Sequence, residues 1–281
     1  MPEHIPSSQS KPIQSRVQTA IASASQRTGV DFDYLVSQAR VESNFNPSAK
    51  ASTSSASGLY QFTRQTWLAT VKEHGAAHGL DWAANAIRQH PSGRFSVSDH
   101  SQKSAIYALR NEPEAASAMA AEFAGDNQSH LQSALGRKPE PVDLYLAHFL
   151  GANGATRFLK AMDHNPDKAA APLFQKAASA NRGIFYEKSG HARSFGEIRS
   201  LFETKLNAKN PAYSVSPTAR FVSTDSYGLS NGFQTQIVSK ANEAEGPPLR
   251  MLGIEPMPQK LSIDFAKSTY ERLEAMSWRA K

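Results

Sequence analysis

One stretch restricts the fold of this chain more than any other. It runs from Arg40 to Trp67 and reads RVESNFNPSAKASTSSASGLYQFTRQTW. Before it, Asp31 is a candidate N-cap, and Phe32, Leu35, Val36 and Ala39 recur at helical spacing. Glu42 lies about one turn beyond Ala39, at the border of that apolar face. A carboxyl group there is partly desolvated. Desolvation disfavours the charged form, which is what a general acid working near neutrality needs. Asn46-Pro47 ends the helix, because a residue before proline is pushed out of the α region. Residues 48–57 are small and polar and read as a surface loop. Gly58 permits a sharp turn, and Thr63 can cap a second helix reaching about Val71.

Elsewhere the pattern is also helical. Pro12 to Arg27 carries Ile13, Val17, Ala20, Ile21 and Ala24 on one side, and Gly29 stops it. Helices are predicted over residues 102–110, 112–130, 142–150, 155–162, 171–178 and 194–206. Residues 80–100 read as an irregular excursion with a short extended piece at 94–97. The fold class is therefore mainly α. Residues 1–11 read as a flexible tail and 12–206 as the folded domain. Residues 207–260 read as a disordered linker rich in Pro, Ser, Asn and Gly, and 261–281 as an amphipathic helix suited to docking.

Composition narrows the chemistry. The 281 residues include no cysteine, which excludes disulfides, thiolate metal sites and a cysteine nucleophile. No apolar run approaches the ~20 residues of a membrane span. Lys and Arg number 31 against 25 Asp and Glu. That mild excess suits an anionic polymer, but the basic residues are scattered rather than clustered with aromatics, which argues against nucleic acid. His74 and His78 sit four apart, yet Gly75 stands where a metalloprotease helix carries Glu; a polar helix end is the better reading, and no metal or cofactor is expected. Glu122, mid-helix, reads as a solvated or salt-bridged residue rather than a second catalytic carboxylate.

Taken alone, Glu42 would be a solvated carboxylate at a helix end. Its company changes that. Glu42-Ser43, Phe45, Pro47, Ala49 and Ser52, then Gly58-Leu59-Tyr60-Gln61-Phe62 and Thr66-Trp67, resemble the signature of lytic transglycosylases of the soluble type. The resemblance implies a lysozyme-like (goose-type) helical catalytic domain acting on peptidoglycan glycan strands. It implies that Glu42 is the single acid/base, that Ser43 supports it, and that Gln61 and the backbone around Tyr60 hold an N-acetylated sugar. Tyr60 stands where the family usually has methionine. Farther on, Ala147-His148-Phe149-Leu150-Gly151 resembles the family's Ala-Tyr-Asn motif, with His148 in the Tyr place and Phe149 in the Asn place. On the residues alone, His148 is either a hydrogen-bond partner of Glu42 or a satisfied core histidine. The family also places a late aromatic near the sugar groove, which would make Tyr186 a contact.

The resemblance implies cleavage of the MurNAc–GlcNAc bond with a 1,6-anhydro product. Two alternatives stand beside it: a goose-type lysozyme using water, and a non-catalytic glycan-binding scaffold. The expected location is the periplasm or cell envelope, although the N-terminal MPEHIPSSQSKPIQ lacks the apolar core of a secretory signal. The C-terminal tail is expected to offer a docking segment for a protein partner such as a flagellar or secretion apparatus.

Overall fold

Alanine-rich helices can approach closely, and the centre of this fold uses that. In the computed structural model, which describes residues 10–52 and 54–208, the longest helix is α6, Pro113–Leu135. Its buried side is mostly Ala116, Ser117, Ala120, Ala121 and Ala124, with Met119 and Leu131 filling the wider gaps. Against it lies α1, Ser10–Thr28, presenting Val17, Ala20, Ile21 and Ala24, all buried. Small side chains on both helices bring the backbones together and bury apolar surface at low side-chain entropy cost.

The Glu42 helix is α2, Phe32–Ser43, and Asp31 caps it by accepting from the Tyr34 N–H at 2.8 Å. After the loop comes α3, Arg64–His74, capped by Thr63, which accepts from the Thr66 N–H. Trp67 on α3 is fully buried and donates its indole N–H to the Ile106 carbonyl at 2.7 Å. Phe62 packs edge-on against it with ring centres 5.3 Å apart.

The region read as irregular has more order than its sequence suggested. After a 3-10 turn at Gly75–His78, it holds a short helix α4 (Asp81–Ala86) and a two-stranded antiparallel hairpin. The hairpin pairs β1, Ile87–Gln89, with β2, Phe95–Val97, in the register Ile87 to Val97. Its inward residues Ile87, Phe95 and Val97 are buried, and the Gln65 amide on α3 clamps Phe95 by both its N–H and its carbonyl. The extended piece expected at 94–97 is β2, whereas β1 carries too little alternation to be read before its partner is known.

The remaining elements close the domain: α5 (His100–Ala108), α7 (Pro141–Leu150), α8 (Ala152–His164), α9 (Gln175–Ala180), α10 (Arg182–Phe185) and α11 (Phe195–Asn207). α7 is buried on every side, against α6, α8 and α11. Its N-terminus carries a capping box between Glu140 and Asp143. The Asp143 carboxylate is fully buried and therefore paired, with Arg137 at 2.7 Å and Arg199 at 3.5 Å. Glu122 on α6 meets His78 Nε2 at 2.5 Å and His74 Nδ1 at 3.4 Å, so it has side-chain partners of its own away from Glu42. The segment 209–281, including most of the linker and all of the amphipathic helix read from the sequence, lies outside the described residues, as does the tail before Ser10.

Candidate active site

Glu42 occupies the last turn of α2, where the chain must leave the helix at once. It does so through two consecutive left-handed residues, Asn44 (φ 51°) and Phe45 (φ 63°). The Asn44 N–H bonds the Arg40 carbonyl at 2.9 Å, so the helix ends two residues before the predicted Asn46. Asparagine tolerates this conformation; phenylalanine does not, and its buried ring holds it there. The third non-glycine residue in the left-handed region among the described residues is Gln61, on the turn facing this helix end. Backbone strain of this kind gathers at sites that need fixed geometry.

The Glu42 side chain is only 5 % exposed. Two groups from the buried helix α7 meet the same carboxylate oxygen. The Tyr145 hydroxyl donates to Glu42 Oε1 at 2.9 Å, and His148 Nε2 lies 3.2 Å from it. The other face of His148 is held by Gln38, whose Nε2 is 2.9 Å from Nδ1. Glu42 Oε2 takes no hydrogen bond among the described residues. Burial, then the nearby Glu42 charge, push the Tyr145 phenol far above its ordinary range and the Tyr34 phenol up likewise. Both stay neutral donors at any working pH. On α11, burial pushes the Lys205 ammonium down to about 8, against the opposing pull of Glu42. Arg40 ties α2 to that helix end by donating to the carbonyls of Lys205 (2.6 Å) and Leu206 (2.9 Å).

The loop after Glu42 is fastened to it. Ser43 Oγ is 2.8 Å from the Leu59 carbonyl and 3.1 Å from the Ala39 carbonyl, so one hydroxyl joins the helix to the Gly58-Leu59-Tyr60-Gln61 turn. Gly58 has φ 84°, and a Cβ there would sit 1.8 Å from the Arg110 carbonyl oxygen. Only glycine fits both demands. The Arg110 guanidinium holds the same loop, donating to the carbonyls of Ser55 (2.7 Å) and Phe62 (3.1 Å).

The seven residues singled out from the sequence fall in three groups. Glu42, Ser43 and His148 meet in one place, with Gln61 on the adjoining turn. Gln61 spends its amide N–H groups on Gly58 (2.8 Å) and Ala49 (3.2 Å), which leaves its carbonyl oxygen and the surrounding backbone for a ligand. Tyr60 is fully buried, so its ring is closed to any ligand. Phe149 points into an aromatic cluster with Phe185 and Phe202. Tyr186 stacks under Arg182 and lines a separate cavity of about 470 Å³ with Pro172, Gln175 and Ser179, a lining that includes none of the groups around Glu42.

Tyr145 and Gln38 were missed by sequence reasoning. Tyr145 stands three residues before His148 and so shares its helix face; within the run Leu144-Tyr145-Leu146 it passes for core. Gln38 stands four before Glu42, an amide on an apolar face, and buried amides need partners.

Residues 19–87 match the family model of the transglycosylase SLT domain. Over that stretch the chain is similar to a transglycosylase SLT domain. The match takes in Gln38, Glu42, Ser43, Tyr60 and Gln61, whereas Tyr145 and His148 come from α7, beyond it. The mainly helical architecture is that of the lysozyme-like SLT fold. That match supports a peptidoglycan-acting function of the lytic-transglycosylase type. Among the described residues no helix is long and apolar enough to cross a membrane, and no group of three or more acidic or histidine side chains is arranged to hold a metal ion.

Proposed function

We propose that this protein cleaves the β-1,4 bond between N-acetylmuramic acid and N-acetylglucosamine, forms a 1,6-anhydro ring, and uses Glu42 as its single acid/base. The observation that carries the reading is the asymmetric Glu42 carboxyl: Oε1 takes the Tyr145 donor and faces His148, while Oε2 is left for substrate. Oε2–H donates its proton to the glycosidic oxygen as the C1–O bond breaks. The 2-acetamido group supports the oxocarbenium-like centre. Glu42, now a carboxylate with charge held on Oε1 by its donors, takes the proton of the 6-hydroxyl through Oε2. The O6–C1 bond then forms within the same sugar, and no water is consumed. The intramolecular hydroxyl has a large effective concentration, which favours it over solvent. Glycosidases with two carboxylates place the pair within about 5–10 Å; among the described residues the side chains that meet the Glu42 carboxyl are Tyr145 and His148, not a second acid. The substrate sets the place of action at the cell envelope, and a protein partner for the C-terminal tail remains part of this proposal.

Mass spectrometry of purified peptidoglycan after incubation with the full chain tests it. Wild type should release anhydro-muropeptides, and Glu42→Gln should release them at least about 100-fold more slowly, the scale of lost general acid–base catalysis. Free reducing ends would mean that water is the acceptor. Equal rates for the two proteins would remove Glu42 from the role.

A further inference from the structure

Gln38 is 2 % exposed and flanked on α2 by fully buried Leu35 and Ala39. An amide nitrogen donates and does not accept. With Gln38 Nε2 at 2.9 Å from His148 Nδ1, the ring nitrogen is the acceptor and a neutral His148 carries its proton on Nε2. That N–H faces Glu42 Oε1 at 3.2 Å. The amide orientation has its own physical support. Gln38 Oε1 is buried without a hydrogen-bond partner. Turning the amide over would place the NH2 group at that partnerless position, and orphaned buried N–H groups are rarer than orphaned carbonyls. The imidazole cannot swing away either. Tyr145 stacks on it with ring centres 5.8 Å apart, and Phe123 on α6 meets it edge-on at 6.3 Å.

We propose that Gln38 is a positioning residue: by donating to Nδ1 it holds His148 in the Nε2–H form, so that Glu42 Oε1 always meets two donors and the reacting proton rides on Oε2. This rests on the reading of Glu42 as the acid/base. Two donors on one oxygen sort the carboxyl into a fixed acceptor atom and a reacting atom before substrate arrives. A His148 with its proton on Nδ1 would instead turn a lone pair toward Oε1, and the carboxyl would lose that sorting. The ionisable groups around the pair are Tyr34 and Arg40 on α2, Tyr145 on α7 and Lys205 on α11. Of these the two phenols stay neutral, which leaves the His148 tautomer as the donor state that a single hydrogen bond decides.

The experiment is a long-range ¹H–¹⁵N NMR correlation on the full chain labelled at histidine, with His148 assigned by its loss in His148→Gln. Wild type should show His148 protonated at Nε2 and bare at Nδ1. Gln38→Glu, which puts an acceptor at Nδ1, should move a proton there, and Gln38→Leu should mix the two forms. In parallel, release of anhydro-muropeptides should fall about fivefold to tenfold in Gln38→Leu and further in Gln38→Glu, in kcat with KM held. The proposal is overturned by an Nδ1-protonated wild type, by a tautomer that Gln38→Leu leaves unchanged, or by a changed tautomer with unchanged kcat. The wild-type spectrum decides the first point even if both variants fail to fold. It is also independent of the role of Glu42: an active Glu42→Gln would remove the acid/base reading while leaving the tautomer result standing.

Discussion

The Tyr145 hydroxyl donates to Glu42 Oε1 across 2.9 Å, joining the helix that carries Glu42 to the helix that is buried on every side. A donor so placed does not move when charge appears on the carboxylate, which is how preorganised groups lower a barrier. Tyr145→Phe keeps the ring and its contact with Phe202 at 5.2 Å. The lost hydrogen bond to a charged group is worth ~1.5–3 kcal/mol. The expected outcome is kcat lower by about tenfold or more, KM nearly unchanged, and a fall in thermal stability no larger than that one hydrogen bond accounts for. Steady-state release of anhydro-muropeptides, with a melting curve beside it, checks all three.

Gly58 and Gly29 separate space from backbone conformation. Both have positive φ, 84° and 75°, but a Cβ at Gly29 meets nothing within 4 Å, while at Gly58 it meets the Arg110 carbonyl oxygen at 1.8 Å. Gly29→Ala should cost only the left-handed penalty, ~1–2 kcal/mol. Gly58→Ala must also displace the Arg110 backbone, and with it the loop that Arg110 fastens through Ser55 and Phe62. A cost of about 4 kcal/mol or more places it among the exceptional single substitutions. Urea unfolding of the two variants gives the comparison. Similar losses would mean that the loop yields to the extra carbon.

These local constraints explain what could be read from the chain and what could not. The caps Asp31 and Thr63, the stop at Gly29 and the helical periodicity of α1, α2, α6 and α7 are short-range, so residues within one or two turns are enough to read them. The extended piece at 94–97 was legible and is β2, but the helix α4 and the partner strand β1 were not, because their order comes from burial of Ile87, Phe95 and Val97 and from the distant Gln65. The same holds within the site. Glu42 is visible because a long fixed pattern surrounds it. Tyr145 joins it from 103 residues away, and Gln38 finds His148 from 110 away, by contacts that no local pattern announces. Phe149 shows the converse: a residue placed by motif position alone has its ring in the aromatic cluster of Phe185 and Phe202.

His74 gives the stability a pH dependence remote from the catalytic chemistry. Its Nε2 is 2.8 Å from Asp126 Oδ2, and its Nδ1 is 3.4 Å from Glu122 Oε2, both on α6. The hydrogen bond to Asp126, then the charges of Asp126, Glu122 and Glu73, raise its proton affinity above the ordinary 6.5 despite burial. The sign follows from linkage. A histidine that binds its proton more tightly folded than unfolded adds stability fully present below the unfolded value, lost as pH rises through the higher folded one. Wild type should therefore weaken from mildly acidic to mildly alkaline pH relative to His74→Gln, whose profile should be flatter over that window. Urea midpoints measured across it for both proteins test the sign: a variant as steep as wild type would mean that His74 does not carry the linkage.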